Sequence, residues 1–415
     1  MRRNLLRSLL EETPIVVTGM GAVTAAGVSV DALWESVMAA RVPAVSRSYS
    51  FGGGANEVAV CVVEGPLDVP LFYPKVQRMD RSVQFAMTAV GEALERAGLA
   101  ESRKGLEVGV VMGSSRGPLE SVTAGLQSVG QKRVVPTLAV NSSPSSSVGA
   151  LAAGLGLQGP GMVVSAACAS SAHAVGLAAE QLLLGKADVM LAAGSEALIL
   201  PGVIQQFRAA GLLGSHPDPC LTCRPFDVSR NGLCLGEGAG CLVLETEESA
   251  RRRGVAILGY LAGWGFSMGR GGRAGVVEDG VDLLGVVEEA LGVAGVGAGA
   301  VDLMHLHGTG TRLNDRAEAG MVGRLFGKRI GEVPCMATKP VTGHCFGATP
   351  VLESIVTLEA LRRGWVPGRI NCMEQDPECG VCLVPSGGIR RTMRYGLLES
   401  LGFWGFRSSL LFCRA

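Results

Sequence analysis

Cys168 is the residue of this sequence best suited to act as a nucleophile. It follows a strand-like run of small and apolar residues, and a helix-forming stretch leads on from it to residue 185. A cysteine at the N-terminus of a helix meets unpaired backbone N–H groups and the positive end of the helix dipole, which favour the thiolate. Free cysteines are also common in protein cores, so these local features leave an inert thiol open as the alternative.

Two histidines later in the chain are candidate partners for that thiol. His307 ends a strand-like run and opens a Gly-rich turn, and His344 follows Lys339 by five residues in a loop before a helix. Imidazoles exposed at strand ends are typical of sites in α/β proteins. His305 lies two residues before His307, but without a nearby acidic residue to complete a metal half-site we assign it to structure.

The elements that must position these residues alternate between strands and helices. Helices are predicted at residues 29–40, 79–97, 172–185, 281–293 and 315–326. The apolar runs between them lack strict alternation, which indicates a parallel or mixed sheet covered on both faces. Because the order of elements after residue 256 resembles the order before it, we predict two packed half-domains, residues 1–255 and 256–415.

Composition excludes several classes of protein. The 415 residues include 47% hydrophobic and 18% charged residues, enough apolar material for a large core. Basic and acidic residues both number 37, so the net charge gives no reason to expect a nucleic-acid or membrane-surface protein. Apolar stretches are too short to cross a bilayer. The 12 scattered cysteines fit reduced thiols in the cytoplasm better than a disulfide framework.

Two segments have an unusual composition. Residues 134–179 contain no Lys, Arg, Asp or Glu, which predicts burial at a domain centre or a subunit interface. Residues 1–13 are basic and then acidic, with no apolar core of signal-peptide length, and we interpret them as a short leader to the first strand.

Taken together and in order, these segments resemble the β-ketoacyl-[acyl carrier protein] synthases, the elongating members of the thiolase-like superfamily. The resemblance rests on six segments: VVTGMGAVTAAG at residues 16–27, RMDR at 78–81, CAS at 168–170, RPFD at 224–227 with GEGAG at 236–240, HGTGT at 307–311, and KPVTGH at 339–344. Any one of them alone is a weak signal, whereas six in family order make coincidence remote.

The resemblance implies an α/β thiolase fold, in which duplicated βαβαβαββ halves form a five-layered αβαβα sandwich. It implies that Cys168 takes an acyl chain from a phosphopantetheine thioester, with the backbone N–H groups of Cys168 and Phe403 as the oxyanion hole. His307 and His344 would then promote loss of CO₂ from a malonyl thioester, whose carbanion attacks the acyl group.

The resemblance also assigns supporting residues and implies no bound metal. Lys339 and Glu318 would hold and polarise the two histidines. No metal or cofactor is implied beyond the phosphopantetheine that carries the substrates. The pairs Cys220-x-x-Cys223 and Cys379-x-x-Cys382 are too far apart in the chain for a zinc ribbon, so structural zinc is disfavoured.

The partners implied are an acyl carrier protein and a second synthase subunit, in a homodimer or in a heterodimer with a related chain. Because carrier proteins of this family are acidic, Lys75, Arg78 and Arg208 are the candidate contacts, and a plain surface charge is the alternative for each. A non-catalytic subunit like a chain-length factor is the alternative for the whole chain, although such subunits lose the nucleophile that Cys168 supplies.

Two segments depart from the family pattern. Near the C-terminus, Phe403 keeps the place of a gating Phe, but Trp404 and Arg407 replace a Gly and an Asn. We expect Trp404 to restrict the gate loop and Arg407 to add a cationic contact. Arg116 stands in a turn that is usually apolar. With Phe207, these residues are the candidate modifiers of the acyl pocket or gate. Arg116 and Trp404 give the hypothesis that the pocket favours short, polyunsaturated or aryl chains.

Overall fold

The computed structural model describes residues 2–51, 54–67, 69, 76–101, 103, 105–130, 136–269 and 279–415. Its helices are α1 Arg2–Glu12, α2 Val30–Met38, α3 Arg81–Arg96, α4 Leu119–Gly130, α5 Leu138–Asn141, α6 Ser146–Leu155, α7 Ser170–Leu183, α8 Pro201–Ala209, α9 Glu247–Arg253, α10 Leu284–Ala294, α11 Arg312–Phe326, α12 Lys339–Thr342 and α13 Thr349–Arg363. Its strands are β1 Ile15–Thr24, β2 Val45–Phe51, β3 Gly54–Cys61, β4 Val108–Gly113, β5 Gly161–Val164, β6 Val189–Glu196, β7 Leu235–Gly236, β8 Gly238–Thr246, β9 Gly259–Met268, β10 Val301–His305, β11 Cys335–Met336, β12 Trp365–Val366, β13 Ile389–Arg390, β14 Tyr395–Leu401 and β15 Phe406–Cys413.

The main sheet is a repeat of one five-strand pattern. Its order is β11-β10-β14-β15-β9-β1-β8-β6-β4-β5. One series runs outward as β1, β8, β6, β4 and β5, and the other as β9, β15, β14, β10 and β11. If the five strands of each series are numbered along the chain, both series have the spatial order 1-5-4-2-3. Each series has antiparallel inner pairs and parallel outer pairs. The two series join where Val16 and Val17 pair with Tyr260 and Gly259.

Helices separate and cover the two halves of the sheet. α3 packs on β1, β8 and β6, whereas α10 packs on β9 and β15. Between the halves, α7 contacts β4 and β6, α13 contacts β14 and β8, and the two helices contact each other. The layers are therefore helix, sheet, helix, sheet and helix, which confirms the predicted thiolase fold. A half-domain boundary at residue 255 would lie between α9 and β9 and stays a prediction.

Small side chains let α7 lie between the two sheets. Ala172, Ala174, Ala178 and Ala179 are all buried in the central core. Interiors are packed at crystal-like density, so bulkier residues along this helix would push the sheets apart. The same helix begins just after Cys168, and its close packing therefore fixes the position of that residue.

Residues 2–12, interpreted from the sequence as part of a short leader to the first strand, form the helix α1. Leu6 and Leu10 are four residues apart and so share one face of α1, which packs them against the central core. Arg7 and Glu11 form an ion pair on the exposed side. No helix of the described part of the chain combines the length and apolar character needed to span a bilayer.

The uncharged segment 134–179 is only partly buried within one chain. Its residues on α7 are mostly buried, as predicted. Residues 136–146 are half-exposed or exposed, and Val140 on α5 is 66% exposed. Residues 136–146 are therefore not at a domain centre, and their burial at a subunit interface, the other alternative, stays a prediction.

Candidate active site

Cys168 lies in a sharp turn between β5 and α7. The preceding residue, Ala167, has a φ of 50°, in the left-handed region that non-glycine residues rarely adopt. The Ser170 side chain supports the turn, accepting a hydrogen bond from the Ala166 N–H at 2.9 Å and donating one to the Ala167 carbonyl at 2.6 Å. A strained backbone that is held in this way is common at functional sites. The turn presents the sulfur at the start of α7.

Burial controls the protonation of that sulfur. It raises the pKa of Cys168 to about 12, although the charges of Lys339 and Arg116 act to lower it and that of Glu196 acts to raise it. The resting residue is thus a thiol. The loss of hydration outweighs the backbone groups of the helix N-terminus, which alone would lower the pKa of Cys168.

Cys168 and the two predicted histidines line one cavity of about 150 Å³. The rings of His307 and His344 have centroids 5.4 Å apart and are nearly perpendicular, at 88°. The remaining wall consists of Phe207, Leu212, Leu233, Thr309, Thr311, Leu313, Asn314, Leu401, Gly402 and Phe403. The structure therefore brings together, around one mostly apolar space, a thiol and two imidazoles that are far apart in the chain.

Hydrogen bonds to the Nδ1 atoms set the tautomers of both rings. Lys339 Nζ lies 3.2 Å from Nδ1 of His307, and the Phe346 N–H donates to Nδ1 of His344 at 3.0 Å. Burial lowers the pKa of His344 to about 3 and that of His307 well below its usual value, and the Lys339 charge adds to both shifts. Each neutral ring therefore carries its proton on Nε2 and is a hydrogen-bond donor there.

Lys339 is held by a residue that the sequence analysis missed. Its Nζ lies 2.7 Å from Glu353 Oε1, and both side chains are buried. Nζ also donates to the His307 carbonyl. Burial raises the pKa of Glu353 to about 7 against the effect of Lys339. An acidic residue at the start of the otherwise apolar run in α13 was the signal that could have identified this partner.

Glu318 acts on the backbone and not on the imidazoles. Its carboxylate accepts hydrogen bonds from the N–H groups of His307 at 2.5 Å and Gly308 at 2.7 Å, and from the Asn314 amide at 2.7 Å. The expectation that Glu318 polarises the histidine rings is therefore corrected. It holds the turn that carries His307.

Gly402 brings the Phe403 segment against the nucleophile. A Cβ atom at Gly402 would lie 2.9 Å from the Ala166 carbonyl oxygen and 3.2 Å from the Cys168 nitrogen, so a larger residue would press on the nucleophile turn. The Phe403 ring packs on Phe207, with centroids 5.9 Å apart. Phe207 and Phe403 thus form one end of the cavity.

The other predicted pocket modifiers lie outside the cavity wall. Trp404 is 61% exposed, with a φ of 63°. Arg407 is buried and pairs with Asp282, so it makes an internal ion pair and not a contact to substrate. Arg116 donates to the Gln206 side chain at 2.7 Å.

The other residues considered from the sequence are a buried histidine and the candidate carrier-protein contacts. His305 is buried between the hydroxyls of Thr338 and Thr357, each 3.0 Å away. Arg78 and Arg208 are exposed, and Lys75 lies outside the described residues. In the described ranges no three His, Cys, Asp or Glu side chains are grouped so as to hold a metal ion.

Comparison with known proteins gives a family for both halves of the chain. Residues 12–250 match the model described as "Beta-ketoacyl synthase, N-terminal domain", and residues 258–373 match "Beta-ketoacyl synthase, C-terminal domain". A relative from Vibrio cholerae, named 3-oxoacyl-[acyl-carrier-protein] synthase 2, is 32% identical over 96% of this chain and 99% of its own length.

Two solved structures share the fold over almost the whole chain. One, titled as a type II PKS acyl-carrier protein in complex with its ketosynthase bound to the hexaketide, has a TM-score of 0.85 and 26% identity and covers 97% of this chain and 100% of that one. The other, titled as the ishigamide ketosynthase/chain length factor, has a TM-score of 0.86 and 27% identity, with 97% and 99% covered.

Proposed function

This chain belongs to the β-ketoacyl synthase family, and from that premise we propose that it condenses a Cys168-bound acyl chain with malonyl-[acyl carrier protein]. The products are 3-oxoacyl-[acyl carrier protein] and CO₂. The observation that carries the proposal is the cavity in which one thiol faces two neutral imidazoles whose protons are on Nε2.

The first step is acyl transfer to Cys168. The sulfur attacks the thioester carbonyl, a bond forms between that carbon and the sulfur, and the carrier's thiol leaves with the proton that Cys168 gives up. The backbone N–H groups of Cys168 and Phe403 stabilise the oxyanion, a role that the close approach at Gly402 supports. Because the thiol has a pKa of about 12, it ionises only as the substrate reacts.

The second step is decarboxylation of the malonyl group. The Nε2–H groups of His307 and His344 donate to the thioester oxygen, on which negative charge develops as CO₂ leaves. Neutral donors suit this task, since they stabilise the enolate without protonating its carbon. The enolate carbon then attacks the acyl carbonyl, and the bond to Cys168 breaks. The sulfur leaves as a thiolate that takes a proton from water, and the chain is two carbons longer.

Lys339 and Glu318 are positioning residues in this mechanism. The ammonium of Lys339 keeps Nδ1 of His307 as an acceptor, and Glu353 balances its charge within the buried site. Glu318 holds the main chain of the same turn. Together they orient the His307 donor before the substrate binds.

We propose an acyl carrier protein and a second synthase subunit as the partners, with substrates carried on phosphopantetheine and no bound cofactor. Arg78, Arg208 and Lys75 stay candidate contacts for an acidic carrier. The 12 free cysteines support a cytoplasmic location, where thiols stay reduced.

A non-catalytic partner subunit is the second candidate, because one of the matching structures is titled as a ketosynthase/chain length factor. The presence of Cys168 together with His307 and His344 favours the catalytic alternative. The two differ in whether the chain itself condenses substrates.

The test supplies the purified protein with an acyl-carrier thioester and malonyl-carrier protein and measures CO₂ and the 3-oxoacyl product. We expect both products from the native chain, product loss in Cys168→Ala, and loss of CO₂ release in His307→Ala and His344→Ala. Leu184→Ala changes an exposed residue outside the cavity and should keep full activity, so it controls for effects of substitution and purification. Absence of product with every primer would overturn the catalytic proposal.

A further inference from the structure

Glu196 is a buried acidic residue at the end of β6 that the proposed mechanism does not use. Its Oε1 accepts hydrogen bonds from two backbone groups that are far apart in the chain, the Ser115 N–H and, at 3.3 Å, the Gly347 N–H. Burial raises the pKa of Glu196 to about 7, and both N–H groups act against that shift. Glu196 therefore joins the loop after β4 to the turn that contains Gly347.

The backbone is packed closely around this carboxylate. A Cβ atom at Gly347 would lie 2.7 Å from Glu196 Oε1 and 2.7 Å from the Ser115 nitrogen. Gly194 precedes Glu196 by two residues and so shares its face of β6, and a Cβ there would lie 3.1 Å from the Cα atom of Ala348. The end of β6 and the turn that contains Gly347 thus hold each other in place.

That turn also carries the group that sets the tautomer of His344. Phe346 directly precedes Gly347, and its N–H donates to Nδ1 of His344 at 3.0 Å. The φ of Phe346 is 48°, in the left-handed region, which costs a non-glycine residue about 1–2 kcal/mol. Such a conformation persists only where the surrounding structure holds it. The hydrogen bond from the Gly347 N–H to Glu196 anchors the next peptide group.

Loss of this anchor would affect the His344 ring through Phe346. A relaxed Phe346 would turn its N–H away from Nδ1, and the ring proton could then move from Nε2 to Nδ1. A ring with its proton on Nδ1 has an acceptor at Nε2, where the proposed mechanism needs a donor to the enolate oxygen. Decarboxylation would therefore suffer although no residue of the cavity wall had changed.

The nucleophile turn depends much less on Glu196. Ser170 holds the turn before Cys168 through its own two hydrogen bonds. The link from Glu196 to this turn runs through Ser115, whose carbonyl accepts a long hydrogen bond of 3.4 Å from the Ser165 hydroxyl. The two chemical steps should thus respond differently when Glu196 is changed.

We propose that Glu196 is a positioning residue for decarboxylation, which keeps the ring proton of His344 on Nε2 by anchoring Gly347 and, through it, the Phe346 N–H. The inference rests on the proposed function, because it concerns one step of that reaction. Glu196 is not among the residues that line the cavity at Cys168, so it acts through the turn and not on the substrate.

The first test measures two rates on each variant: acylation of Cys168, and CO₂ release when the acylated protein meets malonyl-carrier protein. Glu196→Leu should slow CO₂ release by about 100-fold, the cost of displacing a reacting group by roughly 1 Å. Acylation should not slow, because the Glu196 charge raises the pKa of Cys168. Glu196→Gln keeps an acceptor oxygen and should slow CO₂ release by less than about tenfold, since a neutral acceptor is weaker than a charged one.

Gly347→Ala and Gly285→Ala form a matched pair of glycine substitutions. The first adds a Cβ that pushes the Glu196 carboxylate off the turn, so it should reproduce the selective loss of CO₂ release. The second adds a Cβ on α10 with no atom within 4 Å and should leave both rates unchanged. This pair decides the question if Glu196→Leu does not fold.

The second test measures the tautomer directly by ¹⁵N NMR of protein labelled at its five histidines, with the His344 signals identified from His344→Ala. We expect the Nε2–H tautomer alone in the native protein and a mixture in Glu196→Leu and Gly347→Ala. An unchanged tautomer in both variants, or equal losses of acylation and CO₂ release, would overturn this inference while the proposed function stands. Absence of both activities in the native protein would overturn the proposed function, whereas the tautomer is measured without substrate.

Discussion

At the residue scale, the buried Lys339–Glu353 pair carries both stability and chemistry. Lys339→Met leaves the Glu353 carboxyl without its partner in a dry site, so we expect a loss of about 3–5 kcal/mol in the free energy of unfolding. Adding Glu353→Leu should restore most of that stability, because the unpaired charge is gone. Decarboxylation should stay low in both variants, since Nδ1 of His307 has lost its donor.

Urea unfolding and CO₂ release measured on the two variants separate these effects. If Glu353→Leu restored activity along with stability, Lys339 would serve only to balance a buried charge. The role of Lys339 in setting the His307 tautomer would then be wrong.

His305 makes stability depend on pH. Burial lowers its pKa from the usual 6.5 to about 3, with the Lys339 charge adding to the shift. Between those pH values the unfolded chain binds more protons than the folded one, so stability falls as the pH falls. The contribution is about 1.4 kcal/mol for each pH unit within that window.

The variant His305→Gln isolates this group from the buried carboxyls, whose raised pKa values act in the opposite direction. Unfolding free energies measured from neutral pH downward should converge for the native and variant proteins as the pH falls below 6.5. A constant difference across the window would contradict burial of a neutral imidazole at this position.

The residues that do chemistry were largely predictable from the sequence, but their contacts were not. Cys168, His307 and His344 each lie in a segment whose residue types indicate a site, and the structure brings all three to one cavity. Glu353 was missed because its ion pair with Lys339 joins two separate helices, and the sequence does not indicate which residues of those helices meet in the folded chain. The backbone contacts of Glu318 depend likewise on how α11 packs on the His307 turn.

At the scale of elements, the loop between β14 and β15 contains a backbone conformation that its residue type disfavours. Trp404 takes a left-handed backbone conformation that favours glycine, at a cost of about 1–2 kcal/mol. Its ring is mostly exposed. We expect Trp404→Gly to be about 1 kcal/mol more stable than Trp404→Ala, because both lose the ring but only glycine relieves the strain.

Thermal or urea unfolding of the pair measures that difference. Equal stabilities would mean that the loop relaxes out of the left-handed region when the ring is removed. The strain at Trp404 would then come from the packing of the indole and not from the backbone that Gly402 and Gly405 enclose.

Most elements could be predicted because their apolar periodicity is strong. The helix predicted at residues 79–97 is α3 Arg81–Arg96, capped by Asp80, and the one predicted at 29–40 is α2 Val30–Met38, capped by Ser29. α1 was missed because its few apolar residues are surrounded by charge, and only packing against α10 and the core makes it a helix.

At the scale of the whole molecule, residues 136–164 contain no Lys, Arg, Asp or Glu and end in the edge strand β5. β5 is an edge strand of the main sheet, and Leu126, Val129 and Val140 nearby in the chain are each at least 60% exposed. An uncovered edge and exposed apolar side chains favour association. We infer that a second subunit covers this surface.

Leu126→Asp with Val140→Asp should convert a dimer to a monomer, whereas Leu184→Asp, equally exposed at the end of α7, should not. Light scattering after gel filtration measures the mass of each variant. A dimer that survives the double substitution would place the interface elsewhere.

Acylation of Cys168 is the most direct test of the proposed condensation. The native protein is mixed with carrier-bound acyl chains, digested, and the mass of the peptide containing residue 168 is measured before and after malonyl-carrier protein is added. We predict an acyl adduct on Cys168 that disappears as CO₂ and a 3-oxoacyl product form. An unmodified peptide with every chain, or product formed without an adduct, would contradict it.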